Sequence, residues 1–426
     1  MLYMVNALIW FWPTLFLKGV RRASYFVVAF LFSQSYYFQQ LIYHIFNIEY
    51  SASFPTGYLS NVLLYSAISG SVYSFSFVLI SKKKSLSLID FFGKIRGLFF
   101  SILPKNPLVI IVYLCLVLFC FYYLYEISFY AGDMDRYQWW YGGYRSDFVY
   151  PLMISSYLSA FTVLWLLNAF PKSSWFVFIL NVGLISLVVL LVSFDGSRRE
   201  LVLPMLSLIV CYFQSIWRRS YLVGFAYLVF FLLCVFLIGY IGLGRSTVGW
   251  NAVLEGVSGV NPGYFMSNIF APMPTAYVSS AMFEFVSHFG YQGPSSYFSA
   301  VVNALFPHFL FGFYVGGEPL VLLIHERLGW VGRDFGFLAE TIYVGGLSAT
   351  IIMHLILSIY HSFLTNSIIR RYSFFLLLLF SFYHIALIQS LRSDFMNFLK
   401  WATYPPIFII FIFWILRFLK IAIKRA

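Results

Sequence analysis

The chain has 426 residues, 61% of them hydrophobic, 22% aromatic and only 10% charged. A soluble globular domain carries about 25% charged residues, so 27 basic and 15 acidic side chains cannot cover a water-facing surface of this size. The composition excludes a soluble enzyme, a disordered chain and a secreted disulfide scaffold, and it leaves a polytopic membrane protein.

A helix needs about 20 mostly apolar residues to cross some 30 Å of hydrocarbon. Taken in chain order, eleven stretches qualify: Leu2–Leu17, Ala23–Ile45, Gly57–Ile80, Leu108–Phe129, Phe148–Phe170, Ser174–Phe194, Leu201–Trp217, Tyr221–Leu243, Phe337–Leu364, Tyr372–Leu391 and Trp401–Leu419. The first is short and holds Pro13. It has neither the charged leader nor the small-residue cleavage site of a signal peptide, and it is read as a span. The expected fold is therefore an all-α polytopic membrane protein with about eleven transmembrane helices, residues 1–426 forming one integral membrane domain. Cys115, Cys120, Cys211 and Cys234 all fall inside apolar runs and form no CxxC pair, which reads as buried apolar packing.

The net charge of +12 points at first to nucleic acid, but its distribution decides otherwise. With eleven spans alternating, one set of connections and the C-terminal tail hold 18 of the 27 Lys and Arg against one acid, Asp90. The positive-inside rule puts that side in the cytoplasm, with the N-terminus outside and the C-terminus inside. No nucleic-acid partner is needed.

The conspicuous connection is on the other side, from Gly244 to Gly336, which makes it a large periplasmic loop. Loops of this length are usually functional. Pro and Gly punctuate it into helices: an apolar run after Pro274-Thr275 ending at Gly290, Ser295–Phe306 stopped by Pro307, and Leu320–Leu328 stopped by Gly329. Such Phe- and Leu-rich helices are expected on the outer membrane surface or dipping into it.

Polar groups collect on the same side, among them His44, Glu126, His384, Gln389, Arg392 and Asp394. The turn Asp195–Glu200 carries four charges in six residues. Arg198, Arg245 and Arg333 sit at outer span–loop junctions near glycines, on the side that the positive-inside rule disfavours. A single span-end arginine ordinarily snorkels to lipid phosphate; three together suit an anionic head group. Asp133-x-Asp135 is a DxD of the kind that can hold a metal on a sugar diphosphate, though in a polar loop it is ordinarily just solvated. Gly242-x-Gly244 lacks the third glycine and the βαβ setting of a dinucleotide site. His354 and His361, seven residues apart on one helix face, favour packing or inter-helix hydrogen bonds over metal ligation.

Three stretches resemble the bacterial O-antigen polymerase (Wzy) family of oligosaccharide repeat-unit polymerases. They are Gly196-Ser197-Arg198, the late outer loop with Phe306-Pro307-His308, and Gly336–Gly346 entering a long span. The resemblance covers roughly residues 193–364. It implies a GT-C-like membrane glycosyltransferase of the bacterial inner membrane. Such an enzyme joins glycans linked to undecaprenyl diphosphate on the periplasmic face and releases undecaprenyl diphosphate. A chain-length regulator protein is a further partner of that setting.

Preorganised Arg198, Arg245 and Arg333 would stabilise the departing diphosphate. His325, Glu326 and Glu340 are the candidates to orient or deprotonate the acceptor hydroxyl. No metal and no cofactor is expected. The rival readings are an O-antigen ligase, a lipid-linked oligosaccharide flippase or transporter, and an assembly partner without chemistry.

Overall fold

The computed structural model describes residues 2–46, 57–81, 86–92, 108–131, 146–170, 174–195, 201–241, 275–306, 313–316, 336–371, 373–390 and 395–404, with a few single residues besides. Among these residues every regular element is a helix and no strand occurs. Leu59–Ile80, Val109–Phe129, Trp175–Phe194 and Phe337–Arg370 are long and apolar enough to cross a membrane. Leu2–Phe16, Pro151–Leu167, Leu203–Trp217, Tyr221–Leu237 and Phe375–Ile388 are apolar but shorter. Large side chains such as Leu79, Leu118, Phe129, Leu222 and Phe363 stand exposed on these helices. That distribution is compatible with surroundings of lipid.

The chain forms two compact units, Leu88–Ile269 and the remainder, Met1–Ser87 with Phe270–Ala426. In the remainder, α1 (Leu2–Phe11) stops one residue short of α2 (Pro13–Phe16). Pro13 has no N–H to continue the ladder. Next come α3 (Gly19–Ser33), one wide turn over Gln34–Phe38, α4 (Gln39–Ile45) and α5 (Leu59–Ile80). The predicted span Ala23–Ile45 is thus a helix interrupted by a π-type turn, a feature frequent at functional sites.

The loop helices follow as α11 (Thr275–Phe289) and α12 (Ser295–Leu305), at the bounds that Pro and Gly predict. The predicted helix Leu320–Leu328 lies outside the described residues. α11 does not lie flat on a surface. Residues Ala276 to Met282 are buried all round, packed against α5 and α13 (Phe337–Arg370). The unit closes with α14 (Phe374–Ser390) and α15 (395–404).

The other unit is built from α6 (Leu108–Ala131), α7 (Ser146–Ala169), α8 (Ser174–Asp195), α9 (Val202–Trp217) and α10 (Tyr221–Ile241). Its core is Val, Leu and Phe from all five helices, with Cys120, Cys211 and Cys234 buried and free among them. Cys115 is also free but exposed, on the apolar outer side of α6. The buried Asn181 amide donates to the Tyr227 hydroxyl at 2.8 Å, and Arg218 Nη2 donates to the Leu167 carbonyl at 2.8 Å. Both bonds satisfy polar groups that lipid could not.

Candidate functional site

α13 carries the polar chemistry of its unit. Thr350, His354, Ser358, His361, Ser362, Thr365 and Asn366 recur at helical spacing and are all buried. They form a seam along about 24 Å of one helix face. His354 and His361 make inter-helix hydrogen bonds, one of the two roles that the sequence favoured for them. Among the described residues, no group of His, Cys, Asp and Glu has metal-binding geometry.

Donors and acceptors can be assigned around the seam by counting hydrogens. His384 Nδ1 lies 2.8 Å from the Phe380 carbonyl, which can only accept. Its Nε2 therefore accepts from the Ser24 hydroxyl at 2.9 Å. Ser24 has no second hydrogen, so His361 Nε2 donates to it at 2.5 Å, and His361 Nδ1 accepts from Tyr73 at 2.7 Å. Tyr383 lies 3.0 Å from the Tyr73 oxygen and 3.2 Å from the Leu357 carbonyl. Five neutral groups from α3, α5, α13 and α14 thus satisfy one another. His384, expected among the outer polar groups, belongs to this cluster instead.

Further along α13 lies a second cluster. His354 Nδ1 donates to the Thr350 carbonyl at 2.8 Å, and its Nε2 accepts from Tyr36 at 2.8 Å. Tyr36 sits in the wide turn after α3, which alters the helical register at that point. Phe337 stacks edge-on against His354 with centroids 5.5 Å apart.

α13 is broken between these residues and its start. Gly345 and Gly346 have non-helical backbone, and Gly346 lies at φ +57°. A Cβ there would meet Tyr291 Oη at 2.8 Å, so the position needs glycine on two grounds. The break frees carbonyls that cannot stay unpaired in an apolar setting. The turn between α11 and α12 supplies the donors: Gln292 N–H reaches Tyr343 O and Gly293 N–H reaches Val344 O, both at 3.0 Å. Tyr343 Oη returns a bond to Gln292 Oε1 at 3.1 Å, and Thr350 Oγ1 lies 2.9 Å from Thr341 Oγ1 across the break.

The short leading half of α13 positions Glu340, which is 1% exposed. Its Oε2 accepts the Phe395 N–H at 2.7 Å. That amide belongs to the described part of α15. Tyr297 of α12 packs its ring edge-on against Phe395 at 5.5 Å. Its hydroxyl is buried without a hydrogen-bond partner. Burial first, then the nearby Glu340 carboxylate and Tyr36, push the Tyr297 phenol well above its usual range. A carboxylate, an unpartnered phenol and the His354–Tyr36 pair therefore share one end of α13.

Of the candidate catalytic and diphosphate-binding residues, Glu340 is the one the structure places at this cluster, beside His354. Arg198, Arg245, Arg333, His325 and Glu326 lie outside the described residues, as do Asp133 and Asp135. Tyr297, Tyr36 and the Glu340–Phe395 bond were not singled out, because nothing local to them in the chain signals their meeting. No protein-family model, curated protein or solved structure matches the chain.

Proposed function

We propose that this protein polymerises undecaprenyl-diphosphate-linked oligosaccharide repeat units on the periplasmic face of a bacterial inner membrane. The observation that carries the proposal is Glu340, a carboxylate buried beside a phenol without a partner at the head of a long apolar helix. An ionised carboxylate is an acceptor and a base, and the Phe395 N–H fixes the position of Oε2. Glu340 accepts the proton of the acceptor hydroxyl as its oxygen bonds to the anomeric carbon of the donor glycan. The bond from that carbon to the diphosphate oxygen breaks, and undecaprenyl diphosphate leaves. Arg198, Arg245 and Arg333 hold the charge that develops on it, with His325 and Glu326 as the other candidates to orient the hydroxyl. No metal is needed where arginines hold the diphosphate.

The supporting architecture has eleven spans, a periplasmic N-terminus and a cytoplasmic C-terminus. A reporter fused after Gly259 should be active in the periplasm and one after Lys83 in the cytoplasm; the reverse result for either ends the orientation. A flippase would need charge or an open path through the spans. The His361–Ser24–His384 cluster is neutral and mutually satisfied, which favours an enzyme.

The test is the glycan ladder of a deletion strain. Loss of long chains with one repeat unit retained supports the polymerase. Polymer that accumulates on its lipid carrier without transfer supports the ligase. With purified protein, polymerisation should persist in excess EDTA, and activity restored only by Mg²⁺ or Mn²⁺ would overturn the metal-free scheme.

A further inference from the structure

At the opposite end of the same unit, Arg21 is 4% exposed although it lies only two residues into α3. An arginine near a span end ordinarily extends to water or lipid phosphate. Here the chain turns inward. Gly19 has φ +55°, and a Cβ on it would fall 2.0 Å from the Leu86 carbonyl. Leu86 O accepts the Val20 N–H at 2.9 Å, which pins the start of α3 beneath the residues after α5.

Arg21 Nη2 then donates to Asn366 Oδ1 at 2.9 Å, and Asn366 Nδ2 donates to the Ile80 carbonyl at 3.0 Å. Asn366 is neutral, so it satisfies a hydrogen and leaves the charge. Arg21 Nε is buried with no partner. Burial, then the positive charge of the exposed Arg370, both push the Arg21 guanidinium below its usual range, and among the described residues no carboxylate acts against them. Arg22 and Arg371 follow directly in sequence. Taking a cation out of water without an anion beside it is costly. Among the described residues the arrangement therefore lacks one component: an anion with several acceptor oxygens at the boundary of the spans.

We propose that Arg21 and Arg370 form a binding site for a phosphate group, carried either by the head group of an acidic phospholipid or by dissolved phosphate. A phosphate has the oxygens to take Arg21 Nε while lying against Arg370, and guanidinium is the side chain that recognises it best. Basic pockets between spans on the positively charged face bind anionic lipid heads by the same chemistry. This site is independent of the polymerase reading and of Glu340.

The experiment uses full-length, delipidated protein in a neutral detergent. Its melting temperature is measured with phosphatidylglycerol, with phosphatidylcholine and with inorganic phosphate at matched ionic strength. We expect phosphatidylglycerol to raise it by about 3 °C or more, phosphatidylcholine to do little, and Arg21→Gln to lose the rise. A rise with inorganic phosphate of the same size assigns dissolved phosphate as the source.

Arg21→Gln also disturbs the Asn366 bond, so Arg370→Gln is the second variant, since it removes charge and no hydrogen bond to Asn366. Native mass spectrometry should show fewer retained phosphatidylglycerol molecules on Arg370→Gln than on the wild type. An equal rise in wild type and both variants, an equal rise with phosphatidylcholine, or no rise from either phosphate source overturns the site.

Discussion

The two polar clusters along α13 are built from the same residue types and behave differently. Around His361 each hydroxyl and imidazole has a partner of opposite role, and the chain of bonds ends on the Phe380 carbonyl. Around Glu340 the helix is broken, a carboxylate is buried, and the Tyr297 hydroxyl lacks a partner. The first arrangement is closed: it joins four helices in an apolar medium, where unpaired polar groups are costly. The second leaves the Tyr297 hydroxyl unsatisfied beside a break that only glycine permits, and a buried polar group without a partner calls for an explanation that a closed network does not. A seam of polar residues in a membrane helix is thus not one thing along its length.

The sharpest way to break this contrast is Glu340→Gln. The amide keeps an acceptor for Phe395 N–H but cannot take a proton. If Glu340 is the base, polymer should fall by about 10²–10⁴-fold at unchanged membrane abundance. Normal chain length at normal abundance would remove it from the chemistry.

Gly346→Ala comes next. It forces a side chain onto φ +57° and against Tyr291, at a cost of about 1–3 kcal/mol for the backbone alone. Melting temperature and abundance should both drop. The double variant with Tyr291→Ala should recover only the part due to the clash.

Tyr297→Phe separates function from packing. Removing a hydroxyl that has no partner should leave stability unchanged or slightly higher. If that hydroxyl meets the acceptor sugar, polymerisation should fall by about tenfold, equivalent to one hydrogen bond of ~1.4 kcal/mol. Because burial raises this phenol, it stays protonated up to and beyond the normal tyrosine range. The activity lost in Tyr297→Phe should therefore be the same at pH 6 and pH 9, and a loss confined to one end of that range would show a titrating phenol.

The smallest effect belongs to the closed cluster. Ser24→Ala removes the link between two histidines, and interhelical hydrogen bonds in membranes average about 0.6 kcal/mol with a maximum near 1.7. Thermal stability should fall by that order while chain length is unchanged. A selective loss of polymer from Ser24→Ala at normal stability would show that the two clusters are not functionally distinct.

Much of this was legible in the residues. Apolar runs gave the helices, because lipid-compatible composition and length are local properties. Pro294 and the residues around Gly290 gave the bounds of α11 and α12 for the same reason. The repeat of His354 and His361 on one face gave their hydrogen bonding but not their partners. Glu340 was legible as an acid at the mouth of a long apolar run.

The break at Gly345–Gly346 was not legible. Two glycines inside an apolar run are compatible with a continuous helix, and the amides that satisfy the opened carbonyls come from Gln292 and Gly293, some fifty residues away in the chain. The burial of α11 was hidden likewise, since its apolar residues suit a membrane surface as well as a protein core.

By itself, then, the sequence determined that this chain is helical, apolar and asymmetric in charge, all of which are sums over neighbouring residues. Only the tertiary structure decided which polar groups are satisfied. Ser24 meets His361 across 337 positions, Arg21 meets Asn366 across 345, and Glu340 meets the Phe395 amide across 55. A hydrogen bond depends on distance and direction in space, and in an apolar medium whether that bond forms separates a structural clamp from a site.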